Sequence, residues 1–246
     1  MLKYFDCNCS FGCSGKPPLR FAADAAELIA EMDFCGIDRG LVYHAGMRFG
    51  SPLFWNERIL AEIKNRNRLV PCWTLLPPQT GETPRPEFLA GNMREAGVKI
   101  LRVFPDEHRY ALDSLTFGGI FEMMTAGRIP LFAKLNLTSL SGVLKDFPGL
   151  RVVAVNQGPH SLERFSRPLL EKHPNFYLET SCYLVDRLIE EFCRIFGPER
   201  LLFGSGFPDN CSGAALLRLA RADIDAAAKA LVAGGNLDRL LKEVQL

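Results

Sequence analysis

The stretch Arg200-Leu201-Leu202-Phe203-Gly204-Ser205 is the last of eight short apolar or β-rich runs along this chain. The seven earlier runs are residues 3–8, 40–44, 69–76, 98–104, 130–135, 150–155 and 176–181. Each run is followed by a segment with the apolar periodicity of a helix. These segments are residues 22–34, 53–64, 85–96, 115–126, 140–147, 161–172, 185–196 and 214–232. Strands that alternate with helices in this way predict a parallel sheet.

The number of strand–helix units favours one closed architecture over an open one. Eight units predict a parallel (β/α)8 barrel, although the same alternation also permits an open, doubly wound sheet. No Gly-x-Gly-x-x-Gly turn follows a strand, so nothing favours the dinucleotide-binding form of the open sheet. A chain of 246 residues is an ordinary length for one such barrel. We therefore predict an α/β fold with a single TIM-barrel domain over residues 1–246.

Composition and charge narrow the class of partner. The chain carries 29 Lys and Arg against 28 Asp and Glu, with no basic stripe, which predicts no nucleic-acid partner. Its apolar runs are shorter than a membrane span, and its beginning lacks the pattern of a signal peptide, which predicts a cytoplasmic protein without membrane contact. Eight cysteines in a chain of this kind are expected to be reduced thiols.

Three sequence motifs resemble those of a known protein family, which is evidence that the apolar periodicity alone does not give. They are Phe5-Asp6-Cys7-Asn8-Cys9-Ser10-Phe11-Gly12, the passage 197–208 and the closing Gly235-Asn236-Leu237-Asp238-Arg239-Leu240-Leu241. In this order the three motifs resemble the amidohydrolase superfamily, and most closely its branch of small-acid hydrolases and decarboxylases. In that family the first strand reads Asp-x-His-x-His-x-Gly, and the last reads Gly-Ser-Asp-x-Pro.

The resemblance implies a divalent metal at the C-terminal mouth of the barrel. Its ligands would be the two histidines of the first strand, a histidine of the fifth or sixth strand and the aspartate of the last. This chain has other residues at every aligned position: Asn8, Ser10, Lys134, Asn156 and Gly206. Amides and hydroxyls are poor ligands for zinc, lysine repels a cation unless it is deprotonated or carbamylated, and glycine has no side chain. We therefore predict no metal and no other cofactor.

The replacing residues are polar, and several strands end in further polar side chains. Residues two apart share one face of a strand, and the C-terminal mouth is the functional face of such a barrel. The predicted substrate-binding residues are Asn8, Ser10, Arg102, Asn156 and Ser205, and the predicted catalytic residues are Lys134, His44 and Asp209. Two cations in this set favour a small anionic ligand, such as a carboxylate or a phosphate.

Other interpretations of these residues remain open from the sequence. Lys134 could instead form a structural ion pair with Asp106 or Glu179, and Arg102 could tie barrel strands together. His44 has no evident carboxylate partner nearby in the sequence, which favours a packed histidine. The apolar stretch 48–55 is consistent with a pocket wall, with core, or with a self-association surface that would make the protein a homo-oligomer.

Two functions fit these observations. The first is a barrel that has lost the metal site and binds a small carboxylate-like ligand at its mouth, with catalysis altered or absent. The alternative is a metal-independent hydrolase or decarboxylase that acts on a small carboxylic acid. In the alternative, Lys134 and Arg102 would hold the anion while His44 or Asp209 moves a proton, since fixed donors alone can supply about 3 kcal/mol each.

Overall fold

The computed structural model describes residues 2–13, 15, 18–134, 137–157 and 162–246. Within these residues the strands are β1 Phe5–Phe11, β2 Arg39–His44, β3 Leu69–Pro71, β4 Trp73–Thr74, β5 Leu101–Val103, β6 Leu131–Ala133, β7 Val152–Ala154, β8 Phe176–Glu179 and β9 Leu201–Leu202. All neighbouring strands pair in parallel. Only Cys72 separates β3 from β4, and together these two form the third strand of a barrel.

Hydrogen bonds between the last and first strands close the barrel. Cys7 N donates to Phe203 O at 2.9 Å, and Ser10 N donates to Phe207 O at 3.0 Å. The predicted (β/α)8 barrel is thus confirmed. The strands β5, β6 and β7 are buried throughout, because helices cover one face of each strand and the barrel interior covers the other.

Helices follow the strands in alternation. In the described chain they are α1 Ala25–Cys35, α2 Pro52–Glu62, α3 Pro86–Ala96, α4 Pro105–His108, α5 Ser114–Ala126, α6 Leu137–Asp146, α7 Arg167–Lys172, α8 Leu188–Phe196, α9 Ser212–Arg221, α10 Ala226–Ala230 and α11 Asn236–Lys242. Short 3₁₀ helices occupy Ala45–Arg48, Pro78–Thr80 and Pro198–Arg200, and π-helical turns occupy Leu162–Ser166 and Leu231–Gly235. No helix of the described residues is both long enough and apolar enough to cross a bilayer.

The predicted helix over 214–232 is wrong in one respect, because the chain forms two helices there. The first, α9, ends at Arg221, and α10 begins after Asp225. The Asp225 side chain accepts a hydrogen bond from Ala228 N at 2.7 Å, which satisfies a backbone N–H at the start of α10. A capping aspartate inside an apolar periodic run is therefore what divides it.

The stretch 48–55 is largely on the surface. Phe49, Leu53 and Phe54 are each more than half exposed, at 61%, 59% and 58%. The interpretation of these three residues as core is thus wrong. Trp55 differs from them, since its indole stacks on the ring of His44 with 4.2 Å between ring centroids.

Candidate functional site

A cavity of about 240 Å³ opens at the C-terminal ends of the barrel strands. Its lining residues follow β2, β5, β6, β7, β8 and β9, as expected for the functional face of this fold. Charged and polar side chains dominate the lining: Arg48, Arg102, Lys134, Glu107, Asp209, Asn156, Asn210 and Cys182, with Tyr43 and Phe104 as the aromatic members. The predicted residues Arg102, Lys134, Asn156 and Asp209 are thus brought together.

Asn8 bonds two of these lining residues and connects β1 with β5, with β8 and with the segment after β7. Its Oδ1 accepts a hydrogen bond from Arg102 Nη2 at 2.8 Å. Its Nδ2 donates to Asn156 Oδ1 at 2.8 Å and lies 3.4 Å from Glu179 Oε1. The side chain is buried, so these bonds replace water at both ends of its amide. Asn8 therefore fixes the positions of Arg102 and Asn156 in the lining.

Arg102 is a buried cation that faces the cavity. Only 2% of its surface is exposed, and its Nε has no hydrogen-bond partner. Its guanidinium carbon lies 4.1 Å from the centroid of the Tyr43 ring and 5.5 Å from that of Phe104. The aromatic faces partly balance its charge. Among the described residues Arg102 has no carboxylate partner, although its bond to Asn8 does tie β5 to β1.

Lys134 follows β6 directly and contributes an exposed side chain to the cavity wall. The predicted alternative, an ion pair with Asp106 or Glu179, is not formed within the described part of the chain. The Glu179 carboxylate is instead surrounded by donors from its own strand end and from Asn156. Lys134 and Arg102 are consequently two cations of one cavity that form no ion pair with a carboxylate of the described residues.

Glu179 is a fully enclosed carboxyl group next to Asn8. Its Oε1 accepts hydrogen bonds from Asn156 N at 2.7 Å and from Ser181 Oγ at 2.6 Å. Its Oε2 accepts from Ser181 N at 2.7 Å. Burial raises the pKa of Glu179 above its ordinary value of 4.5, outweighing the hydrogen bonds, which lower it. The charge of Asp6 raises it further.

This raised pKa predicts how the stability of a Glu179→Gln variant depends on pH. Below the ordinary value of 4.5 both folded and unfolded chains hold the proton. Above it the unfolded chain loses its proton first, so the stability contributed by Glu179 is lost as pH rises through the folded-state pKa. Gln cannot ionise. We therefore expect the unfolding free energy of the variant, relative to wild type, to increase with pH.

Urea denaturation followed by tryptophan fluorescence at several values between about pH 4 and pH 8 measures this difference. A difference that is constant over the whole range, or that falls with pH, would contradict the raised pKa.

Ser205 and Ser10 were predicted to bind substrate, but neither is among the residues that line the cavity. Ser205 is completely buried, and both its N and its Oγ donate to the carboxylate of Asp6. Ser10 is likewise buried in β1, and its backbone N donates a hydrogen bond to Phe207 O. Both serines hold the first and last strands together, because this is the seam where the barrel closes.

His44 lies outside the cavity as well. Its Nδ1 accepts a hydrogen bond from Gly46 N at 3.0 Å, its ring stacks on Trp55, and its Nε2 is 3.9 Å from Glu62 Oε2. Burial lowers the pKa of His44. The position favours the packed histidine over the predicted proton carrier. Its carboxylate neighbour, Glu62, lies on α2, and no local signal in the sequence indicated it.

Asp209 does lie in the cavity wall, where it takes part in a cluster that the sequence did not predict. Arg48 Nη2 is 3.1 Å from Glu107 Oε1, and Arg48 Nη1 is 3.5 Å from Asp209 Oδ2. These residues follow β2, β5 and β9, so the cluster links three loops around the mouth. The only signal in the sequence was that each residue follows soon after a strand.

Gly206 is held in a conformation and a space that suit glycine. Its φ is +69°, and a Cβ there would lie 2.5 Å from Asn210 Nδ2 and 2.8 Å from Ser181 Cβ.

Across the described ranges, no group of three or more His, Cys, Asp or Glu side chains is placed to hold a metal ion.

Comparison with known proteins agrees with the fold and the motifs. A family model described as amidohydrolase matches residues 15–242, and the chain therefore belongs to the amidohydrolase family. No curated protein matches it at a significant level.

Solved structures share the barrel at low sequence identity. The 5-carboxyvanillate decarboxylase from Sphingomonas paucimobilis is 18% identical, with a TM-score of 0.75 over 98% of this chain and 99% of that one. An uncharacterized TIM-barrel protein from Bordetella bronchiseptica is 18% identical, with a TM-score of 0.74 over 98% and 99%. The 5-carboxyvanillate decarboxylase from Novosphingobium aromaticivorans, with bound manganese and a nitrobenzoic acid, is 14% identical, with a TM-score of 0.77 over 98% and 97%. At these identities the likeness shows the fold alone.

Proposed function

We propose that this protein binds a small carboxylate at the mouth of its barrel and that it does so without a divalent metal. The observation that carries the proposal is a pair of cations, Arg102 and Lys134, that share a cavity of about 240 Å³ and have no ion pair within the described residues. A buried guanidinium without a carboxylate partner is costly, and an anionic ligand would supply the missing charge.

The donor atoms of this site do not fit the manganese found in the relative from Novosphingobium. At the positions of the family's metal ligands, Asn8 Oδ1 already accepts a hydrogen bond from the Arg102 guanidinium, and Gly206 has no side-chain atom that could bind a metal. A divalent cation held by Asn8 would lie beside the positive charge of Arg102 and be repelled by it. No step of the proposed function therefore passes through a metal ion.

The cavity residues can divide the recognition of a carboxylate among them. A guanidinium presents a planar fork of N–H groups that matches a carboxylate, and an ammonium adds a mobile point charge. Arg102 would supply the fork and Lys134 the point charge. Asn156 Oδ1 already accepts a hydrogen bond from Asn8 Nδ2, so the side-chain amide N–H groups of Asn156 remain to donate to the ligand.

A second candidate function is the decarboxylation or hydrolysis of a small carboxylic acid. It is favoured by the presence of Asp209 in the same cavity as Arg102 and Lys134, because a carboxyl group can deliver or accept a proton there. Two neighbours in fold are decarboxylases of aromatic acids. In decarboxylation the C–CO₂ bond would break and a proton, supplied through Asp209, would replace the carboxylate. Release of CO₂ from a panel of aromatic acids, lost in Asp209→Asn, would support this function.

Substitution of Lys134 by alanine is expected to weaken the binding of benzoate about 10-fold, which corresponds to about 1.4 kcal/mol for one charge at a partly exposed site. Isothermal titration calorimetry with benzoate, in buffer containing EDTA, measures this loss and tests independence from metal. Lys145→Ala, on the outer helix α6, is the matched control and is expected to bind like wild type. Binding that disappears on addition of EDTA, or that survives Lys134→Ala unchanged, would refute the proposal.

A further inference from the structure

Cys182 is a thiol in the cavity wall that the proposed function does not use. It follows the end of β8 and lines the same cavity as Arg102 and Lys134. It is partly buried, and its thiol is free. Its Sγ accepts a hydrogen bond from Asn210 Nδ2 at 3.8 Å and lies 3.7 Å from Ser181 Oγ. The thiol is therefore held in place at the wall of a cavity that opens to the outside.

The small volume of the cavity places this thiol near any anion that the cations hold. About 240 Å³ lies below the usual size of ligand pockets, which is about 300–1,000 Å³. Arg102 is 2% exposed, and its Nε has no hydrogen-bond partner, so this buried cation points to an anionic ligand independently of the thiol. A carboxylate bound by Arg102 and Lys134 would leave the rest of a small molecule against the remaining wall, which includes Cys182.

Cys182 is not an activated nucleophile by itself. Burial raises the pKa of its thiol above the ordinary value of 9.0, the charge of Glu179 raises it further, and hydrogen bonds to Ser181 and Asn210 lower it. The thiolate is the reacting form of cysteine, so a neutral reagent is expected to react slowly here at neutral pH. A fast reaction therefore requires that the two cations concentrate the reagent in the cavity.

We propose that Cys182 is a covalent modification site that is selective for small electrophiles carrying a carboxylate. The inference rests on the proposed function, since the cations that bind a carboxylate ligand also guide the reagent. With iodoacetate, the sulfur attacks the methylene carbon, so that an S–C bond forms and the C–I bond breaks. Iodide leaves with the electron pair of that bond, and the thiol proton passes to solvent. The attached carboxylate stays on Arg102 and Lys134, and the modified protein no longer binds a free carboxylate.

Parallel alkylation with iodoacetate and with iodoacetamide, its neutral analogue, tests the inference. Peptide mass spectrometry measures both rates at each cysteine. The ratio of the two rates is independent of the pKa of the thiol, because both reagents attack the same thiolate. Cys211 is the internal control, since it is exposed and is not among the residues that line the cavity. We expect the ratio of iodoacetate to iodoacetamide to be about 10-fold higher at Cys182 than at Cys211, as for a modest electrostatic concentration of an ion.

Three further measurements show whether the cavity causes this preference. In Lys134→Ala the ratio at Cys182 should fall several-fold, whereas Lys145→Ala, on the outer helix α6, should keep the wild-type ratio. In urea-unfolded protein the ratios at Cys182 and Cys211 should be equal, because the cavity no longer exists. Saturating benzoate should slow the reaction of Cys182 with iodoacetate and leave that of Cys211 unchanged.

The outcomes separate the modification site from the function on which it rests. If benzoate fails to bind in calorimetry, the proposed function is wrong, and the inference is wrong with it. If benzoate binds but the ratio at Cys182 equals that at Cys211, or neither reagent alkylates Cys182, the modification site is wrong and the proposed function stands. A ratio that Lys134→Ala leaves unchanged also overturns the modification site.

Discussion

Replacing Arg102 with methionine is expected to weaken benzoate binding about 100-fold, or close to 3 kcal/mol, the upper range for a charge-assisted hydrogen bond in a buried site. The side chain is 2% exposed, and a hydrogen bond to the buried Asn8 holds its guanidinium in place. Methionine fills a similar volume without charge. Arg102→Lys, which keeps the charge but not the planar fork, should lose about 10-fold.

Calorimetry with benzoate measures the loss, and circular dichroism establishes that each variant is folded. The matched control is Arg151→Met. Arg151 is also buried, at 9% exposure, but it precedes β7 at the opposite end of the barrel and pairs with Glu243. We expect this control to bind benzoate like wild type. Equal losses in both variants would mean that Arg102 acts through general stability rather than through the ligand.

Replacing Asp6 with alanine is expected to lower the unfolding free energy by about 4 kcal/mol, since several buried donors would lose their acceptor at about 1–3 kcal/mol each. Asp6 Oδ1 accepts from Asn8 N and Ser205 N, both at 2.9 Å, and Oδ2 accepts from Ser205 Oγ. The two bonds from Ser205 join the end of the last strand to the first strand. Asp6→Ala would therefore open the seam where the barrel closes.

Asp6→Asn is the control for this second variant. The Oδ1 of the new asparagine can accept from both backbone N–H groups, those of Asn8 and Ser205. Its amide N–H can donate to Ser205 Oγ, which already accepts from Phe207 N at 3.1 Å. Burial raises the pKa of Asp6, so a neutral amide also avoids the cost of a buried charge. Only the Ser205 hydroxyl proton then loses its acceptor, so we expect a smaller loss of about 1–2 kcal/mol for this variant in urea denaturation. Losses of the same size in both variants would show that the hydrogen bonds are not the cause.

The fold was predictable from the sequence because buried parallel strands produce continuous apolar runs. These runs identify each strand even where its predicted first or last residue is wrong. β1 shows the limit of this signal. The strand extends to Phe11, beyond the predicted run of 3–8. Its residues Asn8 and Ser10 are buried although they are polar, so an apolar pattern does not reveal where the strand ends. The opposite error occurred in α9 and α10, where apolar periodicity continued through a break that the Asp225 side chain creates.

Arg102, Lys134 and Asn156 were predictable because each lies within a strand or just after its end, and all three line the cavity. Asp209, which was also predicted, lines the cavity as well, although it lies well beyond the end of β9. Arg48 and Glu107 lie farther along their loops, so their approach to Asp209 depends on how three loops fold over one another. His44 also ends a strand, but Trp55 covers its ring, and a contact between side chains of different elements leaves no local trace in the sequence.

The position of Asn8 also constrains how this barrel could be altered by mutation. A histidine at this position would remove the acceptor of a buried guanidinium, and an aspartate at Gly206 would meet Asn210 Nδ2 at 2.5 Å from its Cβ. Each change alone is thus harmful before any benefit of the other can appear. An engineer who wished to install a divalent cation here would have to change Asn8, Arg102 and Gly206 at once. Evolution through single substitutions meets the same barrier, so the present network of side chains resists a change at any one of these positions.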